Sequence, residues 1–289
     1  MRAMTRLHLQ PEATSRLAIW ARRVAAFAFV ATCLAVIIVR SDMLEIRPAL
    51  ATFGGALGMA AVALFLAFAA LVVIWREGLA GIGAAFAAVA VSLVLLAYPA
   101  YFALKAYRLP WLYDITTDPI DPPRYEALAR LRVREANPTT YPGLYAADQQ
   151  RAAYPDVGPL GTNVTPQIAY DAALAVANKR KWRIVDARAP LAGRRDGRIE
   201  AVARTPILGF RDDVVVRIRP DPDGARVDIR STSRYGRHDF GTNAKRIVTL
   251  ADAIDTAVDA ITPEKPVEAK KGKKSDAKNA KSAPGDKRR

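Results

Sequence analysis

The chain is poor in the residues that build redox and metal chemistry. It has a single cysteine and two histidines in 289 residues. One cysteine, Cys33, excludes an intramolecular disulfide, and it neither supports nor excludes an oxidising compartment. His238 has no cysteine and no second histidine near it, so it is a poor nucleus for a metal site, and no metal ligands are assigned. There is no GxSxG, no HExxH, no phosphate-binding loop and no GxGxxG between a strand and a helix. No catalytic residue and no cofactor follow from the sequence. Acidic side chains are also in the minority: 28 Asp and Glu stand against 43 Lys and Arg, a formal net charge of +15. Two long apolar stretches, residues 49–75 and 79–104, carry no charge deep within them. A transporter or ion path generally needs one, so that class is disfavoured.

What the first hundred residues do have is apolar length. Residues 17–39, 49–75 and 79–104 are each long enough to cross a bilayer. Trp20, Trp75, Tyr101, Tyr107, Trp111 and Tyr113 lie near the span ends, where interfacial aromatics belong. A removable signal peptide is the rival reading of the first span, but no small-x-small cleavage site precedes Arg40. Gly54 and Gly58 form a GxxxG, and Gly83 and Ala87 repeat the small-xxx-small spacing, which lets helices approach closely and offers a route to oligomers. Residues 1–23 hold Arg2, Arg6, Arg16, Arg22 and Arg23. Positive charge marks the cytoplasmic side, so three spans place the remainder outside. The expected location is the inner membrane of a Gram-negative cell: multi-pass, N-terminus cytoplasmic, C-terminal domain periplasmic.

Residues 105–153 read as an extended tether and loop, with a short helix within 123–135. Asp114, Asp118 and Asp121 offer oxygen ligands to a hard cation, but their spacing matches no cation loop, and turn formation or capping is the expected role. Residues 137–163, rich in proline, read as a long loop wrapping the sheet.

Residues 154–262 read as the soluble domain. Three runs alternate with period two, the mark of a half-buried antiparallel sheet. Ile199, Ala201 and Ala203 oppose Glu200, Val202 and Arg204. Val214, Val216 and Ile218 oppose Val215, Arg217 and Arg219. Val227, Ile229 and Ser231 oppose Arg226, Asp228 and Arg230. Pro220–Gly224 is strong turn chemistry between the last two runs, and Gly209 suits a reversal between the first two. One sheet face is thus apolar, and the other is rich in arginine with only Glu200 and Asp228 to offset it. Apolar residues at Ile247, Leu250, Ala251, Ile254, Val258 and Ile261 define an amphipathic helix. Asp239 or Thr242 is its expected N-cap. Thr165-Pro166 opens another helix to about Lys181, and Trp182 begins a further strand. The predicted class is α+β: three N-terminal transmembrane helices, then a mainly antiparallel sheet covered on one face by two helices, helix-grip-like.

The strings IEAVARTPILGFRDDVVVRIRP (199–220) and RVDIRSTSRYGRHDFGTNAKRI (226–247), with YPDVGPL (154–160) and the Trp182 strand, resemble the domain of unknown function (DUF) 1499 family over roughly residues 154–258. The resemblance implies no activity, because the family has none established. Similar bacterial proteins are often tethered to membranes.

The chemistry candidates are few. Asp212 and Asp213 are adjacent on a strand, so they point to opposite faces and do not converge. The richest polar cluster is Arg230, Ser231, Ser233, Arg234, Arg237, Asn243 and Arg246, where a strand gives way to a helix N-terminus. Free amides and Arg forks there suit phosphate or carboxylate. The competing reading is structural: Asp239 and Gly241 form the cap, Asp239 pairs with Arg234 or Arg246, and the serines bond the turn. The tail, residues 263–289, has eight Lys and two Arg against four acidic residues and almost no apolar content, so disorder is expected.

The reading is an integral membrane protein that displays a non-enzymatic binding or scaffolding domain. Its expected partners are the bilayer itself and an anionic lipid head group, cell-wall polymer or envelope protein. An uncharacterised envelope hydrolase or transferase is the alternative. A membrane-bound nucleic-acid binder is a third reading that needs reversed topology and lacks stacking aromatics. Convergence of Asp212 or Asp213 with the arginines in one pocket favours an enzyme; a flat basic sheet face favours a module.

Overall fold

The structure is a computed structural model that describes residues 13–41, 45–191, 193 and 196–261. The basic tail and residues 1–12 lie outside the described residues.

Three helices lead the chain: α1 (Arg16–Ser41), α2 (Ile46–Glu77) and α3 (Ile82–Arg108). All three are long and apolar enough to cross a membrane. Their mutual contacts are built on alanine. Ala18, Ala21, Ala25, Ala28 and Ala35 of α1 face Ala56, Ala60, Ala63, Ala67 and Ala70 of α2, with Ala85 and Ala88 from α3. The three-four spacing keeps one small-residue seam inward, and small side chains let the backbones close up where no hydrophobic effect drives association. Large apolar residues such as Phe65, Phe68 and Val94 point outward. The GxxxG expectation needs correcting within the chain. Gly54, Gly58, Gly83 and Ala87 are exposed, and no atom of another element approaches Gly54, Gly58 or Gly83. The alanine seam, not the glycine face, meets the neighbouring helices.

The domain holds a six-stranded antiparallel sheet: β1 (Asp114–Thr116), β2 (Leu160–Thr162), β3 (Arg183–Arg188), β4 (Gly197–Arg204), β5 (Arg211–Asp221) and β6 (Gly224–Ser233). The order is β1-β6-β5-β4-β3, with β2 also on β6. β1 and β2 share one edge of β6, pairing with residues 230–232 and 225–227 respectively. Gly224 closes the β5–β6 turn at φ 145°, and a Cβ there would lie 2.3 Å from the Thr162 carbonyl oxygen. Glycine is therefore what lets β2 cross this close.

Helices α6 (Pro166–Lys179) and α7 (Thr242–Ile261) cover one face, as the periodicity predicts. Ile199, Val214, Val216, Ile218, Val227 and Ile229 meet Ala169, Ala173, Ile247, Leu250 and Ile254 in the main core. Thr165 caps α6 with Pro166 in its first turn.

The opposite face departs from the sequence reading. It is not an open basic surface, and residues 114–123 are not a free tether. β1 extends the sheet edge, and the segment after it, with Tyr125 and the short helix α4 (Ala127–Leu131), lies over this face; α5 (Leu144–Ala153) follows within the stretch read as loop and places Ala146 in the main core. The carboxylates that balance the arginines come from this segment. Arg230 makes a bidentate pair with Asp114 at 2.9 and 2.6 Å, and it also donates to the Pro123 and Thr139 carbonyls. Arg217, Arg219 and Arg226 each reach both Asp118 and Asp228, and Arg217 and Arg219 also reach Asp121. Buried Glu200 accepts the amides of Glu126 and Leu128 at 2.8 Å, so it caps α4 from across the sheet. Buried charge has to be paired, and the pairing draws the supposed tether into the fold.

Candidate functional site at the membrane–domain junction

Two loops bring the domain against the helices. The first joins β4 to β5 and reads Thr205-Pro-Ile-Leu-Gly209-Phe210. Gly209 sits at φ 69° and donates to the Thr205 carbonyl at 3.1 Å, closing the reversal. Arg40, at the end of α1, donates to the Pro206 and Ile207 carbonyls. Leu208 and Phe210 pack with Val39, Ala49, Phe53 and Tyr98. The second loop joins β6 to α7. Phe240 adopts a left-handed backbone, φ 54°, a strained choice for a non-glycine residue. Its ring meets Phe102 edge-on at 5.0 Å and stacks on His238 at 4.6 Å, and Lys105 donates to its carbonyl. His238 Nδ1 accepts the Phe240 amide, which leaves Nε2 to donate to the Leu109 carbonyl.

Between these loops and helices α2 and α3 lies a cavity of about 910 Å³. Its apolar walls come from Phe53, Tyr98, Phe102, Ala106, Ile207 and Phe210. Its polar wall carries Arg211, Asp212, Ser233, Arg237, His238 and Asp239. The volume is at the upper end of the range of about 300–1,000 Å³ typical of small-molecule pockets.

The residues singled out in the sequence divide between the two sheet faces. Ser231, Ser233, Asn243 and Arg246 gather under the start of α7. Ser231 donates to Asn243 Oδ1, Asn243 Nδ2 donates to Ser233 Oγ and the Tyr113 carbonyl, and Arg246 pairs with Asp212. Arg230 and Arg234 point the other way: Arg230 to Asp114, and Arg234 to Asp213, which also holds Arg132. The seven-residue anion cluster is therefore not one site. The structural reading accounts for most of it: Asp239 accepts the Gly241 and Asn243 amides at 2.9 and 2.8 Å and is the cap of α7. It does not pair with Arg234 or Arg246. Arg237 differs from the rest. It is exposed, lines the cavity and has no carboxylate within ion-pair distance among the described residues. Asp212 and Asp213 do diverge, Asp212 toward α7 and the cavity, Asp213 into the covered face. Burial pushes the carboxyls of Asp212 and Asp239 above the usual range; Arg246 pulls the first back, and the Asn243 and Gly241 amides the second.

Sequence reasoning missed the cavity, because its walls belong to segments more than a hundred positions apart. A signal did exist. The β4–β5 loop is Pro-Ile-Leu-Gly-Phe, which is unusually apolar for a turn, and apolar loops need a surface to cover them. Among the described residues no cluster of carboxylates, histidines and cysteines has the geometry to hold a metal ion.

An apolar three-helix anchor carrying an antiparallel α+β domain defines a membrane protein. Residues 114–254 match the family model DUF1499, described as protein of unknown function. The match begins at the buried Asp114, which agrees with the fold: the arginine-covering segment is part of the domain. No curated protein shows significant similarity to the chain.

Proposed function

We propose that the protein is a non-enzymatic membrane module that binds an anionic amphiphile where its periplasmic domain meets the bilayer. The observation that carries this reading is the cavity of about 910 Å³ walled on one side by α2 and α3 and on the other by the domain. Apolar walls continuous with membrane-spanning helices suit an acyl or isoprenoid chain. Arg237, a cavity-lining arginine with no carboxylate within ion-pair distance among the described residues, suits an anionic head at the domain end. The inner-membrane orientation rests on the positive-inside argument and on the shared location of the α1 and α3 C-terminal ends, which both meet the domain.

The test is mass spectrometry of lipids retained by the full-length protein after detergent extraction, with Ala106→Trp to fill the cavity. Retained amphiphile in the wild type and its loss in Ala106→Trp are expected. Equal retention by both refutes the reading. Alkaline phosphatase and fluorescent-protein fusions after Arg289 test orientation: an active phosphatase with a dark fluorophore is expected.

An enzyme is the second reading, favoured by one observation: Arg211, Asp212, Ser233, His238 and Asp239 share the cavity's polar wall. Each of the two carboxylates already has a structural partner, which favours binding over turnover. The nucleic-acid reading has less support, since Arg217, Arg219, Arg226 and Arg230 are paired with carboxylates under the segment that begins at residue 114.

A further inference from the structure

A second concavity stands at the edge of the sheet. It lies where the last turn of α6 meets edge strand β3, and it measures about 230 Å³. Arg180, Lys181, Arg183, Arg204 and Arg211 line it, with Trp182 and Val202, and none of these described lining residues is an aspartate or glutamate; Arg204 also donates to the Arg40 carbonyl. Register explains the convergence. Arg183 pairs with Val202 and Arg204 with Arg211, so these side chains stand together on the face that residues 114–143 cover farther along the sheet. There, Arg217, Arg219, Arg226 and Arg230 meet carboxylates of the covering segment. Here, Arg180, Lys181 and Arg183 have no carboxylate within ion-pair distance among the described residues. Arg180 is held in place by donating to Thr249 and lying 5.5 Å over the Trp182 ring. Lys181 occupies the left-handed position that ends α6, φ 56°, where glycine is usual. The sequence has placed a lysine where backbone energetics favour its absence.

We propose that this cleft binds a phosphate group. Arg180, Lys181 and Arg183 on one concave wall suit a multiply charged oxyanion, and guanidinium forks suit its geometry. The size argues for a group rather than a whole small molecule, since the cleft is smaller than the roughly 300–1,000 Å³ of ordinary ligand pockets. The site is separate from the amphiphile reading: it shares Arg211 with the larger cavity but none of its apolar wall. The β4–β5 loop beside it docks on the α1 end through Arg40, so the cleft lies on the membrane-proximal part of the domain, and the phosphate is either free in solution or part of a lipid head.

The experiment uses the full chain in phosphatidylcholine nanodiscs. One arm titrates inorganic phosphate calorimetrically. The other replaces part of the lipid with phosphatidylglycerol and counts bound anionic lipid by native mass spectrometry. Lys181→Gly with Arg183→Gln removes two cleft charges, and the glycine relieves the backbone at 181, so folding is kept. Lys273→Gln with Lys274→Gln removes the same charge from the tail. The expected result is binding in at least one arm, weakened about tenfold or more by the cleft pair and unchanged by the tail pair. Binding in the phosphate arm identifies a soluble phosphate; binding in the lipid arm alone identifies a head group. No binding in either arm, or equal loss from the cleft and tail pairs, overturns the proposal. Ala106→Trp leaves cleft binding intact, which separates failure here from failure of the amphiphile reading.

Discussion

Asp114→Asn should be among the most damaging single-atom-scale changes in the domain. The two partners are fully buried, with side-chain exposures of 0% for Asp114 and 2% for Arg230. The guanidinium lies between Tyr125 and Tyr141, 4.9 and 5.6 Å from their ring centres. Replacing the carboxylate with an amide leaves that cation with two carbonyl acceptors, those of Pro123 and Thr139. Breaking one side of a buried pair costs about 3–5 kcal/mol. The residual acceptor of asparagine points to the lower end, about 3 kcal/mol, or a fall of roughly 6–12 °C in Tm for a domain of this size. The assay is thermal unfolding of the full-length protein in detergent, with hydrogen exchange across β1 and β6 to localise the loss. Asp114→Leu with Arg230→Met should recover much of it, because an apolar pair carries no desolvation penalty. A loss under about 1 kcal/mol, the range of exposed pairs such as Arg151–Asp148, would refute the argument that this pair holds the covering segment down.

Gly224→Ala should cost at least about 2 kcal/mol and raise exchange at residues 160–162, because the new Cβ meets backbone atoms at 2.3 and 2.9 Å. Asn243→Ala should cost about 1–3 kcal/mol in thermal unfolding, since it removes the partner of Ser231, Ser233 and the Tyr113 carbonyl from a fully buried position. Asp118 gives a pH dependence. Burial opposes its ionisation, but the Asp121 and Ile120 amides with Arg226 and Arg217 outweigh burial and hold its carboxyl below the usual range. A depressed folded-state value contributes stability above the unfolded value of about 4 and loses it as pH falls further. Limited proteolysis of residues 114–123 should therefore accelerate below about pH 4, and Asp118→Asn should be less stable at pH 7 and lose this acid step.

The local rules of the chain were legible without coordinates. Apolar length defined three spans, period-two alternation defined β4, β5 and β6 with their inward faces, and Thr165-Pro166 and Asp239 marked helix starts. Each depends on residues close in sequence, where geometry is set by the chain itself. The divergence of Asp212 and Asp213 was legible for the same reason.

The partners across the sheet were not. Arg217, Arg219, Arg226 and Arg230 looked like an open basic surface because their neighbours, Asp114, Asp118 and Asp121, lie about a hundred positions earlier, in a segment whose prolines read as linker. Arg230 and Arg234 looked like parts of one anion site with Ser231 and Arg246, but they lie on the other sheet face, each with its own carboxylate. The cavity depends on two loops meeting two membrane helices. Sequence alone determined the three apolar spans, β4, β5, β6, α6 and α7, but not β1, β2 or α5, which lie in stretches read as tether and loop; tertiary structure decided which charges are cancelled and which stay open, because Coulomb partners are chosen by distance in space and burial removes the water that would otherwise make the choice unnecessary.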